Sequence, residues 1–174
     1  MQSSLLVLAA FQLSAASHPL AFLFGEWEGT AEIQNRDGSV LTLTQTERVG
    51  PMLGGDVVVI EGRGYAADGS LSFNAFAVAS PTGTGQTWEM RSYHRGRAGT
   101  FPFQPKKNGF VWSTPAGPNA RMRYTATIKG NEWHQVGEYI APGQPPRKTL
   151  EMNLKRIGDT GWPDAGAPVP SRKK

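Results

Sequence analysis

A Gly25-x-Trp27 pair opens a run of short alternating segments split by tight turns, and this arrangement constrains the chain more than any other feature. From Glu26 to Gln34, the residues Trp27, Gly29, Ala31 and Ile33 share one face, and Glu26, Glu28, Thr30 and Glu32 share the other. Period-two alternation with one wet side predicts a strand. Further strand-sized runs are expected at about 40–49, 56–65, 71–79, 86–94, a broken pair at 99–103 and 109–114, 121–128, 132–140 and 148–157. Asp37-Gly38, Asp68-Gly69 and Lys129-Gly130-Asn131 punctuate them as hairpin turns. Val57-Val58-Val59-Ile60 is apolar on both faces, which predicts a strand covered twice there. No ten-residue stretch outside the leader carries a helical apolar period. Strands joined by short hairpins read as a single antiparallel up-and-down β-barrel of about nine or ten strands. A short helical turn at Pro19–Phe24 would plug one end with Leu20, Phe22 and Leu23.

The 174 residues suit one domain at 18–157. Residues 1–17 read as a signal peptide or a disordered leader. Leu5–Leu13 is apolar but too short to span a bilayer, and Ala15-Ala16-Ser17 offers a cleavage site before His18. Cleavage would make the mature chain periplasmic or secreted; without it the chain would be cytoplasmic. Residues 158–174, with Pro163, Pro168, Pro170 and a terminal Arg172-Lys173-Lys174, read as a disordered basic tail. No stable membrane span is expected, and a homodimer is compatible with the chain.

The net charge of +4 is unevenly spread. Residues 1–89 carry three bases and nine acids, whereas residues 90–131 carry eight bases and no acid. If consecutive strands are neighbours, the middle block makes one side or rim of the barrel electropositive, as a solvated face or as a seat for an anion. Arg91, Tyr93, Arg95, Arg97 and Phe101 interleave basic and aromatic residues as single-strand binders do. A secreted protein seldom meets such strands, so no nucleic-acid partner is expected. Cysteine is absent, and His18, His94 and His134 lack metal-ligand spacing, so no metal site is expected. Nucleophile elbows, phosphate loops and dinucleotide fingerprints are also missing.

The candidate site residues come from the alternation. Trp88, Met90, Ser92 and His94 share a face of the fifth strand and suit either a cavity wall or a packed core. His94 ends that strand beside Arg95-Gly96-Arg97, where a histidine is either a solvated strand end or a ligand-binding group. On the seventh strand Met122, Tyr124, Ala126 and Ile128 form the apolar face. That parity puts Arg121 and Arg123 outside or at a rim; an inward Arg123 would need Glu61, Glu138 or an anionic ligand. Tyr65, Trp88, Met90, Tyr124 and Trp133 are therefore the expected wall, and Arg91, His94 and Arg123 the expected head-group contacts. His134 and Glu138 share a strand face but lie roughly 13 Å apart, too far for an acid–base dyad.

Four ordered motifs point to a family: Leu23–Gly29, Met52–Gly64, Glu138-Tyr139 with Pro142-Gly143, and Leu150–Arg156. Together they resemble the bacterial domain-of-unknown-function family 1579, which is similar to the lipocalin and nitrobindin-like calycins. The resemblance spans roughly residues 20–157 and implies a calycin-like barrel holding a small hydrophobic ligand. It also implies that Trp27 lies across the barrel floor with Arg156 of the last strand stacked on it, a structural closure. Nitrobindins hold haem through a histidine near the last strand. Leu150-Glu151-Met152-Asn153-Leu154 offers none, so no cofactor is expected. The leading expectation is non-enzymatic binding of a small hydrophobic or amphiphilic, anionic ligand. The alternatives are a haem-dependent or other small-molecule enzyme using His94 or His134, and a filled structural barrel.

Overall fold

A computed structural model describes residues 18–83, 85 and 87–160. The expected leader at 1–17, most of the expected tail, and Gln86 at the start of the fifth strand lie outside the described residues. Ten antiparallel strands form a closed barrel: β1 (Gly25–Gln34), β2 (Val40–Met52), β3 (Val57–Tyr65), β4 (Leu71–Thr82), β5 (Thr87–His94), β6 (Arg97–Lys106), β7 (Gly109–Pro115), β8 (Arg121–Lys129), β9 (Glu132–Ile140) and β10 (Arg147–Gly158). Each strand pairs with its neighbours in sequence, and β1 pairs with β10, so no sheet edge is left open.

The expected broken sixth strand is two strands, β6 and β7, joined at Lys107-Asn108. Asn108 takes a left-handed φ of 58° there, a conformation asparagine tolerates well. Two other hairpins reuse one device. Asp37 and Asp68 each accept a hydrogen bond from the backbone N–H two residues on, at Ser39 and Ser70, 2.9 Å in both cases. Gly38 and Gly69 supply the positive φ that each turn needs. Between β2 and β3, Leu53, Gly54 and Gly55 all have positive φ, and this tight 3-10 turn sets the β2–β3 register.

One end of the barrel is packed solid. The 3-10 turn Ala21–Leu23 drives Leu20 and Leu23 into the barrel, where they are fully buried with Trp27, Val49, Val58, Ala79 and Phe103. On β3, Val58 and Val59 point to opposite faces and both are buried, the doubly covered strand that its apolar run predicts. Just beyond β10, Thr160 donates its hydroxyl hydrogen to the Val49 carbonyl, 2.7 Å away.

Candidate functional site

The closed floor is built around Trp27. Its indole N–H donates to the Leu23 carbonyl at 3.0 Å, tying β1 to the plug. The Arg156 guanidinium lies over the Trp27 ring, 4.2 Å from its centre. Arg156 also donates to the Phe22 carbonyl, at 2.9 Å, and to the Phe24 carbonyl. One planar cation thus stacks on the first strand and ties down two carbonyls of the plug. His18 completes the floor. It is buried against Phe24 and Trp88, and its Nδ1 accepts the Leu20 N–H at 3.0 Å. Burial pulls the His18 pKa below the ordinary histidine value, against a hydrogen bond with the Gly55 backbone.

Above this floor the barrel is hollow. A cavity of about 760 Å³ opens at the opposite end, where Gln34, Arg97, Pro115 and Met122 line its mouth. Side-chain size explains the void. The inward positions of β1 to β5 include Ala31, Gly62, Ala75, Ala77 and Ser92, all too small to fill the space. The facing wall is aromatic: Phe101, Phe110, Trp112, Tyr124 and Trp133. Trp112 stacks on Tyr124 at 4.3 Å and 15°, and Trp133 meets Phe110 and Trp27 edge-on at 5.9 and 5.6 Å. Gly137 keeps that wall in place, because a Cβ there would come within 3.0 Å of the Tyr124 ring. Burial raises the Tyr124 pKa, so the phenol stays neutral.

A few polar groups interrupt the apolar lining, and the principal one is Glu47. The alternation Leu41, Leu43, Gln45, Glu47, Val49 turns this carboxylate into the barrel, where it lines the cavity. Its remaining exposure is to the cavity rather than to the outer surface. Gln45, itself buried, donates its amide N–H to Glu47 Oε1 at 2.8 Å. Gly62 stands opposite in the β2–β3 ladder. Burial pushes the Glu47 carboxyl up to about 8; the Gln45 hydrogen bond opposes this, and the charge of Glu61 on the outer face adds to it. One further cavity group, the Trp133 indole N–H, is buried without a hydrogen-bond partner among the described residues, and the buried Gln135 amide also lines the cavity.

The expected wall and head-group residues separate by strand parity. Met90, His94, Tyr124 and Trp133 line the cavity. Trp88 shares their inward face but sits lower, against Phe103 and His18 in the floor. Tyr65, Arg91 and Arg123 do not reach the cavity. Tyr65 follows a register shift after inward Gly64 and points outward beside Arg63. Arg91 lies on the outer face of β5, 5.8 Å from the Tyr93 ring centre. Arg123 lies on the outer face of β8 and pairs with Glu138 across the ladder at 2.8 Å. Of the expected head-group residues, His94 lines the cavity, as Arg97 does at its mouth, whereas Arg91 and Arg123 lie on the outer wall. His94 Nδ1 lies 2.7 Å from the Asn74 carbonyl, an acceptor, so Nδ1 carries the proton. His134 sits outside, 3.1 Å from Glu151, away from the cavity.

No family model matches the chain, and no curated protein matches it. Among solved structures, the barrel is similar to the crystal structure of Rv2717c from M. tuberculosis, with a TM-score of 0.59 at 16% identity. That likeness covers 84% of this chain and 98% of the other. Likeness at this identity concerns the fold alone, and with the closed ten-strand barrel it fits a calycin-like plan.

Proposed function

We propose that this protein is a non-enzymatic binder that carries a small hydrophobic or amphiphilic molecule inside its barrel. The cavity carries this reading: about 760 Å³, lined by Met90 and the five wall aromatics including Trp133, and open at one end. A packed barrel of this strand number would fill its interior with large branched side chains. Here small residues on four strands, β1, β3, β4 and β5, face five aromatic rings. Trp133 and Gln135 add the few convergent polar groups that orient a ligand in such pockets. The four motifs that resemble family 1579 agree with the same reading. An anionic head, if the ligand has one, would meet Arg97 and His94 at the mouth rather than Arg91 or Arg123.

The test is native mass spectrometry of protein purified from cells, together with titration of an apolar fluorescent probe. A co-purifying small molecule or saturable probe uptake is the expected result. An empty protein that also takes up no apolar probe overturns the reading.

A further inference from the structure

We propose that the ligand carries a basic nitrogen and that Glu47 is its seat, with the polar end of the molecule buried deep and its apolar part toward the aromatic wall. This rests on the cavity reading above and adds the chemical class of the occupant.

The carboxyl group is oriented and left half-satisfied. Gln45 holds Oε1, while Oε2 has no hydrogen-bond partner among the described residues. Space is kept for it as well. A Cβ on Gly62 would lie 2.7 and 2.8 Å from the two carboxyl oxygens, so glycine at this point clears the carboxyl of its neighbour. A charged group in an apolar enclosure is costly unless paired.

No described side chain supplies the pair. The β1 residues facing inward beside Glu47 are Trp27 and Gly29, and those of β3 are Ile60 and Gly62; none is ionisable. Arg156 lies beyond Trp27, two strands away, and is engaged with the Trp27 ring and the plug carbonyls. Glu61 is outside and of like charge, paired with Arg48 and Arg63. Across the cavity stand Tyr124, neutral, and the buried Gln135, whose amide oxygen can accept an N–H. His94 and Arg97 are at the mouth. None of these basic groups offsets the burial that, with the charge of Glu61, holds the Glu47 carboxyl well above the carboxylate range. An ammonium or protonated heterocycle entering the cavity supplies the missing positive charge and its N–H donors.

The proton balance makes the proposal testable. In the empty cavity Glu47 holds a proton at neutral pH; seating a cation expels that proton to solvent. Affinity for an amine therefore rises with pH, by up to tenfold per unit, from about pH 6 to about pH 8. A carboxylate or neutral hydrogen-bond acceptor behaves in the opposite way, because it needs Glu47 protonated.

The experiment is calorimetric titration of the full chain with decylamine, decanol and decanoate across this range, for wild type and Glu47→Gln. The expected result is decylamine tightest, strengthening with pH, with a loss of about tenfold or more in Glu47→Gln. Decanol affinity should be little changed by that substitution, which also shows that the variant is folded. Decylamine binding no tighter than decanol, falling with pH, or indifferent to Glu47→Gln overturns the amine assignment while leaving the cavity reading intact. Failure of all three probes to bind overturns both.

Discussion

Gly62 stands directly across from Glu47 in the β2–β3 ladder, and a Cβ on it would lie 2.7 Å from one carboxyl oxygen and 2.8 Å from the other. The glycine is not needed for its backbone, since its φ lies outside the left-handed region. It is needed for the space beside an inward acid. Gly62→Ala should therefore fold: the contact is with the tip of a flexible side chain, and the restricted unfolded chain offsets the clash by about 0.4–1 kcal/mol. Urea unfolding should place the variant within about 1 kcal/mol of wild type. The carboxyl must swing away from Gln45, so the Glu47 carboxyl titration followed by carbon NMR should move. An unchanged titration with Ala at 62 would show that the crowding is relieved elsewhere.

Glu47 also links stability to pH. Its folded pKa of about 8 lies above the ordinary carboxyl value of 4.5. Between these values the folded state holds a proton that the unfolded state has lost, so stability falls as pH rises through this window and levels off above it. The drop attributable to Glu47 is a few kcal/mol. His18 acts in the opposite sense over a lower range. Its folded pKa is depressed by burial, so its contribution is lost as pH falls through the histidine range. Unfolding free energies for wild type and Glu47→Gln, taken from pH 5 to about pH 9, should diverge with rising pH, both sharing the His18 contribution and only wild type showing the decline linked to Glu47. Parallel curves would remove Glu47 from the account.

The barrel itself was legible because the residues alternate in every strand, and because Asp-Gly-Ser turns and the plug before Trp27 mark where strands begin and end. The tenth strand is less plain: Lys107-Asn108 is a weak turn signal, and only the left-handed Asn108 separates β6 from β7. Parity also sorts inside from outside. It puts Met90 and Tyr124 in the cavity and Arg123 on the outer wall, and applied strictly to β5 it places Arg91 outside too. Reading the basic block as one rim obscures this, since adjacent residues of a strand point to opposite faces. Glu47 is visible as an acid on the apolar face of β2. Its proximity to Gly62 is not visible, because the β2–β3 register depends on the unusual turn through Leu53, Gly54 and Gly55. The depth of Trp88 is hidden for a related reason: alternation gives a face, not a height along the barrel.

Closure of the barrel should depend on Arg156 more than its charge alone suggests. The guanidinium stacks on Trp27 and donates to two plug carbonyls in one plane. Arg156→Ala forfeits a cation–π contact of about 0.5–2 kcal/mol and leaves those carbonyls without their donor. Arg156→Lys keeps the charge but cannot reproduce the fork, and should recover only part of the loss. Chemical denaturation followed by tryptophan fluorescence should rank wild type above Lys and Lys above Ala. A double-mutant cycle with Trp27→Phe separates the stacking energy from the hydrogen bonds. Equal stability of the Lys variant and wild type would assign the role to charge alone.

Ala75→Leu distinguishes a hollow barrel from a filled one. Ala75 is an inward residue of β4, between Gly62 and His94 in the ladder, and it lines the cavity. In a tightly packed interior the added carbons would force neighbours off their rotamers at a cost of about 1–3 kcal/mol. In a cavity of about 760 Å³ they meet empty space and add apolar contacts, so stability should hold or rise by about 1 kcal/mol. The same carbons occupy ligand volume, so probe affinity should fall. Arg91→Ala and Arg123→Ala serve as outward controls. Both residues lie on the outer wall, so apolar probe binding should be unchanged, and loss of the partly exposed Arg123–Glu138 pair should cost no more than about 1 kcal/mol. Unfolding and probe titration on these three variants decide the matter: a Leu at 75 that destabilises the barrel without weakening binding would place the ligand somewhere other than this interior.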